Sequence, residues 1–487
     1  MRKKLLFLFT GLLIIACNAT ELPHLKVNGN KIMAGDQEIR LRGINWGWWE
    51  AGGTIYREKE MKQMKDWNIN VIRLAFTFDQ VSDENCKLDL EKIKKVDRVI
   101  SWAKKYGIYV ILDMHVYPGT VTYFYKETKY QDQFVSLWKE LAARYKNDSV
   151  VAAYELMNEP DTTPNDFDLL RRITTRAINA IRPIAPEKII IVSGDEISSF
   201  DISLDDWVKQ DDTNIVYTIH HYLGSFPYEW LGNIGEDKGL SGNKNWTYVK
   251  EVFDFSKGNV SKANTFYLML RSTENRGKVW FDDLTVKNLT TGEITTFNFD
   301  QNEQGFTKER PPMECMQYDP NMGHKKKGSL MVSGTPEYNG WLSPKFIIGS
   351  KDIIEVSGWI KLENATGKTS LVGSFGGVKL VSLEQLREGL KKSKEFRDKF
   401  NVPIYVGEFA IEAKVAGNEY QSQTIADRIQ AFEELGYHWT YWNYRETTDP
   451  STMALHPHKM NGEEYPVNAT LLKSLQAGWD LNQPIKK

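Results

Sequence analysis

Two short apolar runs in this chain each end by delivering a carboxylate. Tyr154-Glu155-Leu156-Met157-Asn158-Glu159-Pro160 sets an amide beside a carboxylate and then meets proline, and Val402-Pro403-Ile404-Tyr405-Val406-Gly407-Glu408-Phe409 ends in a glutamate behind a glycine. Proline cannot extend a ladder of strand hydrogen bonds, so the first run stops where its carboxylate is presented. A single glutamate at a strand end is ordinarily a solvated charge or an ion-pair partner. Two of them make a pair, and a carboxylate pair can cleave an acetal. Retention of configuration needs one carboxyl protonated at rest and one ionised, roughly 5 Å apart across the bond. Glu155 competes with Glu159 for the acid role, but it lies lower on the strand and reads as an interior hydrogen-bonding group.

Other groups with useful chemistry also fall at the ends of short apolar runs. They are Asn45 and Trp46, then Arg73, then Asp113-Met114-His115, then His220-His221-Tyr222, then Tyr441-Trp442-Asn443. A guanidinium from Arg73 and a phenol from Tyr222 beside Glu408 would favour its ionised form, which helps keep a proton on Glu159. Asp113 reads as structural. His115, His220 and His221 raise the question of a metal. They lack a helical His-x-x-x-His or a cysteine partner, and adjacent strand residues point to opposite faces, so no metal and no cofactor is expected. No Gly-x-Ser-x-Gly elbow occurs, which removes a serine nucleophile.

Asn158-Glu159-Pro160 and Gly407-Glu408-Phe409, in this order, resemble the acid/base and nucleophile strands of glycoside hydrolase family 5, a retaining family of (β/α)8-barrel glycosidases. The resemblance covers about residues 25–224 and 381–487. It implies that Glu159 is the acid/base and Glu408 the nucleophile, that Asn158 hydrogen-bonds the sugar 2-hydroxyl, and that His115 and His220 line the cleaved subsite. Trp442 would stack beneath that sugar, and Trp46 would either extend this floor or pack the barrel. The implied activity is endo-hydrolysis of a β-1,4-glucan. A β-mannan or another or mixed-linkage glucan is the alternative, and an idle barrel in a surface glycan-binding lipoprotein is the reading from a different class.

The elements that must position these groups alternate regularly. Strands are expected near 40–45, 70–76, 108–114, 151–157, 188–193, 215–219, 403–407 and 437–442, with amphipathic helices between them. Ile93, Val96, Ile100 and Ala103 share a helical face ahead of Gly107, and so do Phe134, Leu137, Leu141 and Tyr145. Ser382 with Gln385 forms a capping box, and Ile425, Ile429 and Phe432 precede Gly436. Eight such units predict an α/β fold, a (β/α)8 TIM barrel, with a hairpin over 25–39 closing its bottom. A doubly wound open sheet is disfavoured because no glycine-rich phosphate loop follows the first strand.

After the sixth strand the period changes to two. Residues 247–252, 265–270, 278–286 and 353–359 alternate, with Gly, Asn and Asp turns, which predicts an all-β jelly-roll domain inserted into the barrel. Val279-Trp280-Phe281-Asp282-Asp283-Leu284 resembles the last strand of a jelly-roll carbohydrate-binding module, whereas 297–300, 328–334 and 359–361 resemble its opening strands and come later. The expected domain is therefore circularly permuted. Trp230, Trp246, Trp341 and Trp359 could form a stacking platform, with core packing expected for most of them. The predicted organisation is 1–16 signal peptide, 17–24 tether, 25–227 and 378–487 barrel, and 228–377 insert.

Met1 to Cys17 has a basic start and the apolar stretch 5–16, too short to span a bilayer. Leu13-Ile14-Ile15-Ala16-Cys17 resembles a bacterial lipoprotein box with Cys17 as the lipidated residue. The expectation is export and membrane attachment through the lipid alone, with the rest of the chain a monomer outside the cytoplasm. The 487 residues exceed one ordinary domain, and 41% apolar and 26% charged residues are ordinary for a globular chain. A formal charge of -2 gives no basic surface for nucleic acid. Fifteen Trp and 12% aromatic residues fit either large cores or platforms for sugar rings. Cys86 and Cys315 fall in different predicted domains, so no disulfide is expected between them.

Overall fold

The computed structural model describes residues 22–47, 56–119, 123–162, 166–198, 201–225, 228–235, 239–256, 263–309, 312–334, 338–349, 351–378, 380–445, 453–457 and 464–485. The signal segment and Cys17 lie outside these. The chain divides into two compact units, one of residues 1–226 and 381–487 and the other of residues 227–380.

The first unit is a closed barrel of eight parallel strands. In chain order they are strand 1 (Arg42–Asn45), strand 2 (Val71–Thr77), strand 3 (Tyr109–Val116), strand 4 (Val151–Glu155), strand 5 (Ile189–Ser193), strand 6 (Ile215–His220), strand 7 (Ile404–Glu408) and strand 8 (His438–Tyr441). Each strand is buried on both faces, as parallel strands covered by helices must be. The inward-facing positions change character along the barrel axis. Val71, Tyr109, Ile111, Ala153, Ile189, Val216 and Tyr405 form an apolar lower layer, which Leu25, Ile32, Ile39 and Leu41 seal from below. Three short antiparallel strands carry that seal, Leu25–Asn28, Lys31–Ala34 and Gln37–Ile39, one more than the simple hairpin expected. Above this layer the inward residues turn polar, so the upper half of the barrel is a packed site.

The helices end where the sequence says they should. Lys94–Tyr106 stops at Gly107 and Ala413–Leu435 at Gly436, both left-handed at φ 65° and 75°, and Ser382 caps Leu383–Gly389 through a reciprocal box with Gln385. One connection departs from the expected alternation. Between strands 5 and 6 the described residues hold a two-stranded hairpin, Asp195–Ser198 with Asp201–Ser203, and the 3-10 turn Asp206–Val208 in place of an α-helix. The segment is rich in Ser and Asp, which favour turns over a helix interior.

The second unit is antiparallel β throughout and emerges between strands 6 and 7. Its organising element is the 26-residue strand Ile353–Val378. Residues of this strand pair with Leu240–Asp254 and Tyr228–Ile234 along one edge, and with Lys278–Asn288 and Thr265–Thr273 along the other. The expected jelly roll thus reads as one hydrogen-bonded network around a single core that includes Phe266, Phe281, Leu284, Val356 and Ile360. Cys86 and Cys315 are free and buried in separate units. No helix among the described residues is long and apolar enough to cross a membrane.

Candidate active site

The polar layer at the upper end of the barrel is organised around one guanidinium. Arg73 on strand 2 is fully buried and spends its donors on five partners. It binds both oxygens of Glu155 (2.7 and 3.0 Å), Asn45 Oδ1 (3.0 Å), Asn158 Oδ1 (2.9 Å) and Glu408 Oε1 (2.6 Å), and it lies 3.1 Å from Asp113 Oδ2. Barrel register explains the convergence. Asn45 pairs level with Arg73, Asp113 with Glu155, and His220 with Glu408, so strands 1 to 4, 6 and 7 deliver to one plane. Glu155 is therefore the interior hydrogen-bonding group its position suggested.

Glu408 at the end of strand 7 accepts from Arg73 through one oxygen and from Tyr222 Oη through the other at 2.8 Å. Both donors stabilise a carboxylate charge in a site shut off from bulk water. Glu159 follows strand 4 on a turn with φ 37°, and its Oε1 lies 2.7 Å from His220 Nδ1. Burial raises the Glu159 carboxyl to about 8, and the Glu196 carboxylate adds to the rise while Arg73 opposes it. Atoms of Glu159, His220 and Glu408 come within 4.8 Å of one another. These three could reach a common metal ion, but the Arg73 cation already occupies one face of Glu408 and would repel another.

The histidines divide as strand alternation requires. His115 holds Asp113 at 2.7 Å and stacks on Trp442 with ring centres 5.2 Å apart, while His220 faces the carboxylates. Burial lowers them to about 3 and about 4, so both are neutral imidazoles. A side chain at Gly407 would place its Cβ 3.0 Å from His220 Nε2, which is why glycine precedes the nucleophile candidate. His221 points away from the carboxylates into a separate cavity of about 150 Å³ with Ser203 and Leu223. Asp113 is raised by burial to about 7 against the pull of Arg73, and Glu155 is raised for the same reason. Three carboxyls around one cation cannot all ionise cheaply.

Trp46 is corrected. It is buried, with its ring edge-on to Tyr56 and Tyr444, so it packs the barrel and extends no floor. The sequence reading missed Asp195 and Glu196. Asp195 accepts from Thr162, and the Glu196 N–H donates to Pro160 O at 2.9 Å, which ties the unforeseen hairpin to the Glu159 turn.

In the β-domain the tryptophans are also redistributed. Of the four singled out, Trp341 lies in the core, Trp230 is 60% exposed, and Trp246 and Trp359 are half-buried. Their strands explain it: Ile360 faces the core, so Trp359 must face out, where it pairs across the sheet with Tyr248. Trp246 and Trp359 flank His324, whose ring stacks on Trp359 with centres 3.8 Å apart, and Tyr248 lies against Trp359.

Residues 32–259 match the family model of cellulase (glycosyl hydrolase family 5). Cellodextrinase A of Ruminococcus flavefaciens is 28% identical over 201 residues, 37% of this chain and 58% of that protein. Endoglucanase C of Acetivibrio thermocellus is 31% identical over 201 residues, 37% of this chain and 57% of that protein. Cellulase CelDZ1 of a Thermoanaerobacterium species is 31% identical over 230 residues, 45% of this chain and 57% of that protein. The chain thus spans somewhat more than half the length of these relatives.

Proposed function

We propose, from the premise that this chain is cellulase-like and its barrel is of glycosyl hydrolase family 5, that it is a retaining endo-β-glycosidase acting on a β-1,4-glucan. The observation that carries the reading is the carboxyl pair: two groups within 4.8 Å, one pushed up to about 8 and the other held between Arg73 and Tyr222. Separation near 5 Å suits double displacement and leaves too little room for a water held between the carboxyls. Relatives named as endoglucanase and cellodextrinase support the glucan.

In the first step Glu408 attacks the anomeric carbon while Glu159 gives its proton to the departing glycosidic oxygen. In the second, Glu159 takes a proton from water, which displaces Glu408 and restores both groups. Asn158 is fixed by Arg73, in position to bind the 2-hydroxyl, and His115 on Trp442 forms one wall of the cleaved subsite. Oriented contacts of this kind tighten as the sugar flattens toward an oxocarbenium ion. The Trp246, Tyr248 and Trp359 face of the β-domain is proposed to stack on sugar rings, and the Met1 to Cys17 pattern supports export and anchoring through a lipid on Cys17.

The test is a hydrolysis panel with protein lacking residues 1–17, offered cello-, manno-, xylo- and mixed-linkage oligosaccharides, with product anomers followed by proton NMR. Cleavage of the cello-series with initial retention is expected. Preference for the manno- or mixed-linkage series would replace the substrate, initial inversion would replace the mechanism, and binding without cleavage would favour an idle glycan-binding scaffold.

A further inference from the structure

We infer that the cavity beside His221 is a binding site for a small uncharged phenol, its ring held by aliphatic side chains and its hydroxyl by His221 and Ser203. His221 follows His220 at the end of strand 6, and its backbone N–H donates to Glu408 O at 2.9 Å. The register that turns His220 to the carboxyls therefore turns His221 to the opposite side. There its ring is 4% exposed and edge-on to Phe432, with ring centres 5.8 Å apart, and neither ring nitrogen has a hydrogen-bond partner. The Ser203 hydroxyl, on the hairpin between strands 5 and 6, belongs to a residue 8% exposed and has no partner either. Both residues line the same cavity of about 150 Å³. A buried polar group left unpaired is costly, and two that converge on one cavity define what would satisfy them.

Size, lining and charge select the ligand. A protein cavity of about 150 Å³ holds benzene, so a six-membered ring fits. Ile202, Leu204, Ile219 and Leu223 supply an aliphatic wall, which suits a flat apolar ring and would press the many hydroxyls of a sugar onto hydrocarbon. Burial lowers His221 to about 3, and the Arg428 guanidinium adds to the fall, so the imidazole is neutral and offers one donor and one acceptor. A single hydroxyl answers both groups: it donates to the bare imidazole nitrogen and accepts from the Ser203 O–H. The Arg428 and Lys392 cations stand near the ring, and no acidic side chain is among the described residues of the wall, which disfavours a metal ion. Ser393, the other hydroxyl there, is engaged with Leu390 O and Tyr437 Oη. A Cβ at Gly389, where the helix Leu383–Gly389 ends, would fall 3.1 Å from His221 Nε2 and 3.0 Å from Leu223 Cδ2. Glycine at that position keeps the polar edge of the cavity open.

The probe is phenol itself, titrated into the full chain carrying 13C-labelled histidine rings, with the His221 signal assigned by its loss in His221→Phe. Phenol should move that signal saturably and receive saturation transfer from the protein. Benzene, of the same size without the hydroxyl, should bind about tenfold more weakly, the worth of one well-made hydrogen bond. Saturation transfer should show a similar loss of phenol affinity in His221→Phe. Gly389→Ala, which crowds His221 and removes no side-chain hydrogen bond, should abolish the response while thermal unfolding stays cooperative, and it serves where His221→Phe fails to fold. A His221 signal that phenol leaves unmoved overturns the inference. So does equal affinity for benzene and phenol, which would make the polar edge idle, or a response to glucose in place of phenol. Undiminished phenol binding in Gly389→Ala would place the ligand elsewhere and overturn it as well.

Discussion

The barrel mouth and the outer face of the β-domain both gather polar and aromatic side chains, but they do so under opposite solvent regimes. In the barrel, Arg73, Asp113, Glu155 and Glu408 are buried together, and each charge is answered by a partner within about hydrogen-bond distance. On the β-domain, Tyr248 is 52% exposed and Trp246 and Trp359 half-buried around one imidazole. Desolvated charge is costly to assemble, and burial in such surroundings raises the Glu159 carboxyl. Half-exposed aromatic planes cost little and can cover an apolar sugar face without chemistry. The contrast teaches that burial sets proton affinities in one unit while the other leaves aromatic planes open to solvent, and it can be broken at either side.

The largest effect is expected at the carboxyl pair. Glu159→Gln should lower turnover roughly 10²–10⁴-fold, the usual worth of a general acid, and Glu408→Gln at least as much, with glycan binding kept. Near-normal hydrolysis by either variant would remove that residue from its role. Next comes the hub of the network. Arg73→Met leaves three carboxyls without their cation and should cost about 3–5 kcal/mol in urea unfolding of the barrel, where loss of a surface pair would cost under about 1 kcal/mol.

A smaller effect concerns pH. Asp113 is raised from 3.8 to about 7 in the folded chain, so its protonated form stabilises the barrel fully below about pH 4, and that contribution is lost as pH rises through 7. Urea midpoints at pH 4, 5.5 and 7 should therefore decline less in Asp113→Asn than in the unaltered chain. Equal slopes would show that Asp113 is ionised throughout. The smallest effect is on the β-domain: Tyr248→Ala or Trp359→Ala should weaken binding to an insoluble glucan about fivefold, near 1 kcal/mol, and leave kcat on soluble oligosaccharides unchanged. Loss of soluble-substrate turnover in these variants would erase the distinction between the two units.

How much of this was legible in the sequence depended on whether a residue's role is set by local period or by distant partners. Strand 6 was expected at 215–219 and runs Ile215–His220, because Val216, Thr218 and His220 alternate inward with Ile215, Tyr217 and Ile219 outward. Strand ends then gave Arg73, His115, Asn158, His220, Tyr222 and Glu408 as neighbours. Trp46 was ambiguous since a tryptophan at a strand end serves a floor or a wall equally, and only Tyr56 and Tyr444 decide it. The hairpin between strands 5 and 6 was invisible for another reason. Its two strands are three or four residues long, too short to announce a period. In the β-domain the sequence placed strands but not faces, so core packing was expected for most of the four tryptophans, whereas only Trp341 of them is in the core and Ile360 takes the inner side beside Trp359.

The long strand Ile353–Val378 has a consequence for how the protein is made. Its partners between residues 228 and 288 all leave the ribosome before it does, so the sheet lacks its central member until the insert is nearly complete. The barrel waits as well, because strand 6 at residue 220 has its neighbour strand 7 only from residue 404. At about 5–20 residues per second, that gap of roughly 180 residues leaves a six-stranded open sheet for about ten to forty seconds of synthesis. Two edges of that sheet, at strand 6 and at strand 1, stay bare until strands 7 and 8 arrive to close it.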